Sequence, residues 1–284
     1  MASKKRVPSL KFSPPVVIKK RLKMMMFGPA GVGKTTAAIQ FPKPAIIDTE
    51  RGAENDQYIK LINDAGGQVL QTYSFDEIVS QVRALATADH DFQTLVIDPV
   101  TTVYNTLADQ WKRRVGDAFY KHRAEASRDW DRLCALCHSL DMNVVFTCHA
   151  KNEWDNGAMT GRKTFDGPKG ADYFLDLLIE LKRVNGKVMA QPAKSRIEGM
   201  PIDESFEFSY DSLAERYGRD QLERKAAAIA FASEDQVNEI EELLTKRKDG
   251  EELYGKILTK NTVETFADLQ YETANKVITW LRTN

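Results

Sequence analysis

Gly28-Pro29-Ala30-Gly31-Val32-Gly33-Lys34-Thr35 sets glycines, a lysine and a hydroxyl in the order GxxxxGK[ST]. Glycines let a backbone fold tightly enough for successive N–H groups to surround phosphate oxygens, and a helix that starts there adds its positive end. In this spacing Lys34 reaches the β- and γ-phosphates and Thr35 places its hydroxyl on Mg²⁺, so ATP would lie along Gly28–Thr36, with Thr36 the last contact. The metal also needs a carboxylate at a strand end, and Thr94-Leu95-Val96-Ile97-Asp98 supplies Asp98. Hydrolysis needs a group that orients and activates water. Ala45-Ile46-Ile47-Asp48-Thr49-Glu50 ends a second apolar run with two carboxylates, and Glu50 is the better candidate. Tyr58, on the helix expected after Glu50, is available to stack on a base.

These residues must be held by strands and helices, and the apolar pattern supplies them. Strands are expected at Leu22–Phe27, Ala45–Asp48, Val69–Thr72, Leu95–Asp98, Asn143–Thr147, Leu177–Leu181, Lys187–Ala190 and Ser205–Phe208. Helices are expected at Lys34–Gln40, Asn55–Asp64, Phe75–Ala86, Val103–Arg113 and Arg128–Ser139. Continuous apolar strands separated by helices indicate an α/β fold with a largely parallel sheet covered on both faces. The later strands follow one another without helices, as an antiparallel extension would. After the alanine-rich Lys225–Ala232, Ser233 and Gln236 form a capping box ahead of Val237, Ile240, Leu243 and Leu244 at helical spacing. Further helices are expected at Glu251–Leu258 and Glu272–Leu281. The chain thus divides into a basic arm (1–21), a core (22–225) and an acidic helical module (233–284).

With 284 residues, 42% of them hydrophobic, the chain can bury a substantial core. Its three cysteines cannot build a disulfide framework, which points to the reducing cytoplasm. No apolar run approaches the roughly 20 residues of a membrane span, and the basic N-terminus lacks the apolar stretch of a signal peptide. A net charge of −1 argues at first against a nucleic-acid partner. Its distribution reverses that argument: Lys4, Lys5, Arg6, Lys11, Lys19, Lys20, Arg21 and Lys23 precede Met24 with no acid among them, while acids prevail from Ser233 onward.

The order of IIDTE, TLVID and VVFTCHA resembles the RecA/RadA recombinase core over residues 22–215. The resemblance implies a RecA-like P-loop ATPase with Glu50 as the catalytic glutamate, Asp98 as the Walker B aspartate and His149 where the family often has a glutamine γ-phosphate sensor. Lys194-Ser195-Arg196 resembles paired basic residues that reach the ATP of a neighbouring subunit, which makes Lys194 and Arg196 trans-acting catalytic candidates. The short core, basic arm and acidic helical tail look most like phage-encoded RecA-like single-strand annealing proteins. That likeness implies ATP-linked binding and pairing of single-stranded DNA in recombination, by a filament or ring of identical subunits in the host cytoplasm. A single-strand-binding protein is a further expected partner of the C-terminal module.

In RecA-like proteins two loops face the DNA, and their counterparts here are basic and aromatic. Asp109–Arg128 carries Trp111, Lys112, Arg113, Arg114, Lys121 and Arg123, with Phe119 and Tyr120 between them. Lys151–Gly170, expected to be a mobile glycine-rich loop, carries Lys151, Trp154, Arg162, Lys163, Phe165 and Lys169. Cations attract phosphates and aromatic faces accept unstacked bases, the combination that single-strand binding uses.

Other patterns lead elsewhere. Cys134-Ala135-Leu136-Cys137-His138 has the form of a haem-attachment motif, but on a helix of a cytosolic P-loop protein its cysteines read as buried thiols, as does Cys148 on an apolar strand. Asn152-Glu153-Trp154-Asp155 has Glu where a guanine-reading motif needs Lys. Two other functions fit the phosphate motif: a kinase of a small metabolite with Lys151–Gly170 as its lid, or a non-hydrolysing scaffold gated by ATP.

Overall fold

The computed structural model describes residues 20–52 and 56–283. The arm expected over 1–21 therefore lies outside the described residues except for Lys20 and Arg21. The first expected residue of the second helix, Asn55, also lies outside them.

Among the described residues the helices and strands run β1 (Lys23–Gly28), α1 (Lys34–Ile39), β2 (Pro44–Asp48), α2 (Asp56–Asp64), β3 (Gln68–Gln71), α3 (Phe75–Thr87), β4 (Thr94–Asp98), α4 (Val100–Val115), α5 (Lys121–Ser139), β5 (Asn143–Asp155), β6 (Ala158–Phe165), β7 (Leu177–Val184), β8 (Lys187–Ser195), β9 (Phe206–Glu207), α6 (Tyr210–Tyr217), α7 (Arg219–Glu223), α8 (Glu234–Thr245), α9 (Gly250–Asn261) and α10 (Tyr271–Thr283). The sheet order is β3-β2-β4-β5-β1-β7-β8-β9, with β6 paired to β5. The first six of these strands are parallel, and β8 and β9 extend the sheet antiparallel.

Side chains alternate between the two faces of a strand, and here both faces are dry. Met25 and Phe27 of β1 join Leu95, Ile97, Val144 and Phe146 under α3, α4 and α5. Met24 and Met26 join Val96, Val145 and Ile179 under α1, α2, α6 and α7. A separate apolar cluster of Ile240, Leu244, Ile257, Phe266, Leu269 and Ile278 holds the C-terminal helices together. The Ser233–Gln236 capping box is formed. No helix of the described residues is long and apolar enough to cross a membrane.

Two expectations give way. Asp109–Arg128 is mostly helix: α4 runs to Val115 and α5 starts at Lys121, so only a short tip separates them. Gly116, at φ 75°, closes α4 with its N–H on Lys112 O. Lys151–Gly170 is mostly a β-hairpin rather than a mobile loop, because Asn156 and Gly157 both take positive φ (47° and 80°) in a two-residue turn.

Two cations counted with the basic arm are structural. Lys23 is buried, and its Nζ donates to the carbonyls of Cys137, Leu140 and Met142 at 2.7–3.0 Å, which ties the end of α5 to β1. Burial pulls this ammonium down to about 8. Arg21, also buried, donates to the carbonyls of Gln221, Leu222 and Arg224 and pairs with Asp141.

Candidate functional site

The phosphate loop lies at the C-terminal end of β1, in the middle of the sheet. Gly31 and Gly33 have φ of 71° and 108°, a left-handed backbone that glycine adopts without strain. A Cβ on Gly28 would stand 2.6 Å from Leu181 O, so that position accepts no side chain. Lys34 Nζ folds back to donate to Gly28 O and Pro29 O, both at 3.0 Å. Burial lowers its pKa, while Asp98, Cys148 and Glu50 act in the opposite sense.

β4 and β5 flank this loop with oxygen ligands. Asp98 accepts hydrogen bonds from Thr35 and Thr147, and burial raises its pKa despite both bonds. Asp98 stands beside Asp48 in the β2–β4 register. Asp48 Oδ1 accepts the N–H groups of Glu50 and Gly52, both at 3.1 Å, and so shapes the turn that presents Glu50. Thr49 fixes the same turn, its N–H on Asp98 O at 2.9 Å and its hydroxyl on Pro99 O at 2.8 Å.

Glu50 is exposed at the mouth of the site, where Thr102 Oγ1 donates to its Oε1. His149 Nε2 is 3.6 Å from Glu50 Oε2, and His149 is the register partner of Gly28. The expected sensor thus stands between the phosphate loop and the candidate base. Tyr58 of α2 is half-buried against the layer that contains α1. Thr147, Thr101 and Thr102, which the sequence did not single out, complete this shell together with Asp48, the other carboxylate of the Glu50 run. The threonines' only signal was a hydroxyl in an otherwise apolar strand and a Thr-Thr pair just after Asp98.

Lys194 and Arg196 are not brought to the phosphate loop of their own chain. Ser195 pairs with Leu177, which pairs with Met24 at the opposite end of β1 from Gly28. There Lys194 donates to Asp172 O and lies 5.5 Å from the Tyr173 ring centroid, while Arg196 donates to Tyr173 O at 3.2 Å.

The two basic segments do converge. A cleft of about 540 Å³ opens between the start of α5, the root of the hairpin and the segment that follows it, lined by Arg123, Ser127, Lys151, Phe165, Lys169 and Asp172 among others. Phe119 at the tip is 95% exposed and Trp154 on the hairpin 62% exposed. Trp111 points the other way: it packs against the core, its Nε1 donates to Asp129 at 2.6 Å, and Arg114 stacks over its ring. Lys112, Arg113, Arg114 and Lys121 are exposed around the tip. On the hairpin Arg162 pairs with Glu153 at 2.8 Å, Lys163 donates to Asn152, and Lys151 pairs with Asp166 at 3.3 Å.

Cys134, Cys137 and Cys148 are buried free thiols, as their place in apolar elements implies. Burial pushes Cys137 up to about 12 and Cys148 to about 11, so neither is a thiolate near neutral pH.

Among solved structures the chain is similar to the RadB recombinase, at 17% identity and a TM-score of 0.43, over 66% of this chain and 87% of that one. It is also similar to the assembled ATPase EscN from the type III secretion system of enteropathogenic E. coli, at 12% identity and a TM-score of 0.42, over 92% of this chain and 67% of that one. No curated protein matches. A family model described as an AAA domain matches residues 20–189, more than half of the chain and all of the strands that carry the phosphate loop, Glu50, Asp98 and His149, and the chain belongs to that family.

Proposed function

We propose that this P-loop ATPase is a Mg²⁺-ATP-dependent, RecA-like protein that binds and anneals single-stranded DNA as a filament or ring of identical subunits. The observation that carries the reading is the convergence of both basic segments on one cleft at the root of a hairpin whose first strand is the continuation of β5 beyond His149. The site fits its ligands: left-handed glycines free the loop's N–H groups to face phosphates, and Thr35 and Asp98, already in contact, are the hard oxygen donors Mg²⁺ prefers. Mg²⁺ held there would screen the charge of the β- and γ-oxygens. Lys34 has only to exchange two carbonyls for phosphate oxygens. Glu50, anchored by Thr102, orients the attacking water, and His149 senses the γ-phosphate beside it.

Lys194 and Arg196 stand at the opposite end of β1 from their own phosphate loop, which suits action on the nucleotide of a neighbouring subunit. Phe119, Tyr120 and Trp154 are exposed on the tip and hairpin outside the cleft, and rings amid cations on an open surface suit unpaired bases better than a small metabolite.

The test measures ATPase rate and the binding of a fluorescent oligonucleotide, with and without nucleotide, at two salt concentrations. Binding that strengthens with ATP and weakens with salt is expected, and no binding at low salt in either nucleotide state overturns the DNA reading. Glu50→Gln is expected to abolish phosphate release while nucleotide binding persists. Unchanged release removes Glu50 from catalysis.

A further inference from the structure

Successive hydroxyls in the first turn of α4 face two different machines. Thr102 donates to Glu50 Oε1. Thr101, 3% exposed, donates to Asp166 O at 3.0 Å and accepts the His149 N–H at 2.9 Å. Asp166 N–H in turn donates to His149 O at 2.8 Å, and its carboxylate meets Lys151 at 3.3 Å. Thr101 therefore joins the end of the sensor strand to the residue that follows β6, which is the root of the hairpin. Neighbouring side chains on a helix project about 100° apart, and one turn moves as a unit. A displacement of the hairpin root that shifts Thr101 must shift Thr102, and with it the carboxylate that Thr102 holds.

We propose that Thr101 and Thr102 form a positioning pair through which contact at the β5–β6 hairpin sets the orientation of Glu50. This inference rests on the assignments of Glu50 and of the hairpin made above. Thr102 fixes the carboxylate for water activation, and Thr101 couples that geometry to whatever occupies the basic cleft. Neither hydroxyl takes part in the chemistry.

The experiment compares Thr102→Val, Thr102→Ser, Thr101→Val, Thr101→Ala and Thr101→Ser in the full chain. It measures kcat and nucleotide affinity with and without an oligothymidylate. Thr102→Val is expected to lower kcat by about 10- to 100-fold while nucleotide Kd changes by less than about 2-fold, and Thr102→Ser to restore most of the rate. Thr101→Val and Thr101→Ala are expected to bring the ratio of rates with and without oligonucleotide to about one, and Thr101→Ser to keep the wild-type ratio. Alanine cannot overpack the site, so it decides the question if valine disturbs folding.

A wild-type kcat in Thr102→Val overturns the positioning role. A wild-type ratio in Thr101→Ala, or an unmodified protein whose rate ignores the oligonucleotide, overturns the coupling. The underlying readings fail separately: Glu50 is judged by Glu50→Gln and the nucleic-acid cleft by oligonucleotide binding itself.

Discussion

Asp98 shows how much a single hydroxyl contributes. Its carboxylate is largely buried, and Thr147, fully buried in β5, is one of two hydroxyls that donate to it. Thr147→Val keeps the shape and removes a donor, so it is expected to cost about 1–3 kcal/mol of stability in urea unfolding. Nucleotide binding should weaken in Mg²⁺ more than in EDTA, because Asp98 loses its orientation for the metal. The buried thiols give a second prediction at this scale. Cys148 is raised from an ordinary 9.0 to about 11, so the stability it contributes is complete below pH 9 and is lost as pH climbs towards 11. Wild-type unfolding free energy should therefore fall relative to Cys148→Ala over that interval. Lys34 and Thr35 were legible in the sequence because motif spacing sets them along the chain, and Asp98 because it ends an apolar strand. The hydrogen bond of Thr147 to Asp98 and the turn-shaping contacts of Asp48 were not, since they exist only once the chain has folded around β4.

At the scale of elements, the hairpin and the α4–α5 tip carry the nucleic-acid reading. Each cation that meets a phosphate of a single strand adds about 0.7 to the slope of log K against log salt, so Lys121→Gln, Arg123→Gln and Lys169→Gln together should lower it by roughly two. A slope unchanged in a binding titration removes these residues from the interface. Most helices and apolar strands were readable, because their periodicity and capping agree with the final structure, whereas the short α6 and α7 were not expected. The hairpin was missed although Asn156-Gly157 is a strong turn signal, because its strands are mostly exposed and lack an apolar face to mark them. The same Asn-Gly device at Asn185-Gly186, φ 51° and 81°, joins β7 to β8, whose buried residues made those strands visible.

For the whole molecule, the acidic C-terminal module is fastened to the core by Arg83–Asp268 at 2.5 Å, Arg132–Glu264 at 2.9 Å and backbone bonds between 229–232 and its neighbours. Both arginines are about 40% exposed, so each pair is worth less than about 1 kcal/mol. Asp268→Asn with Glu264→Gln should thus leave the module docked, with limited proteolysis between core and module unchanged at high salt. Cleavage that rises sharply would make those pairs the main fastening. The near-neutral total charge hid this arrangement, in which acids of one part face arginines of another.

The central position of β1 also has a consequence for biosynthesis. The phosphate loop is translated before β5 and β7, with which its strand pairs, and Arg21 just before it bonds carbonyls at 221–224. At about 5–20 residues per second, the guanidinium of Arg21 waits roughly 10–40 s on the ribosome for those acceptors to be made. The nascent chain thus carries its nucleotide motif long before it has a nucleotide site, because the strands and carbonyls that hold the loop's strand in place are made after it.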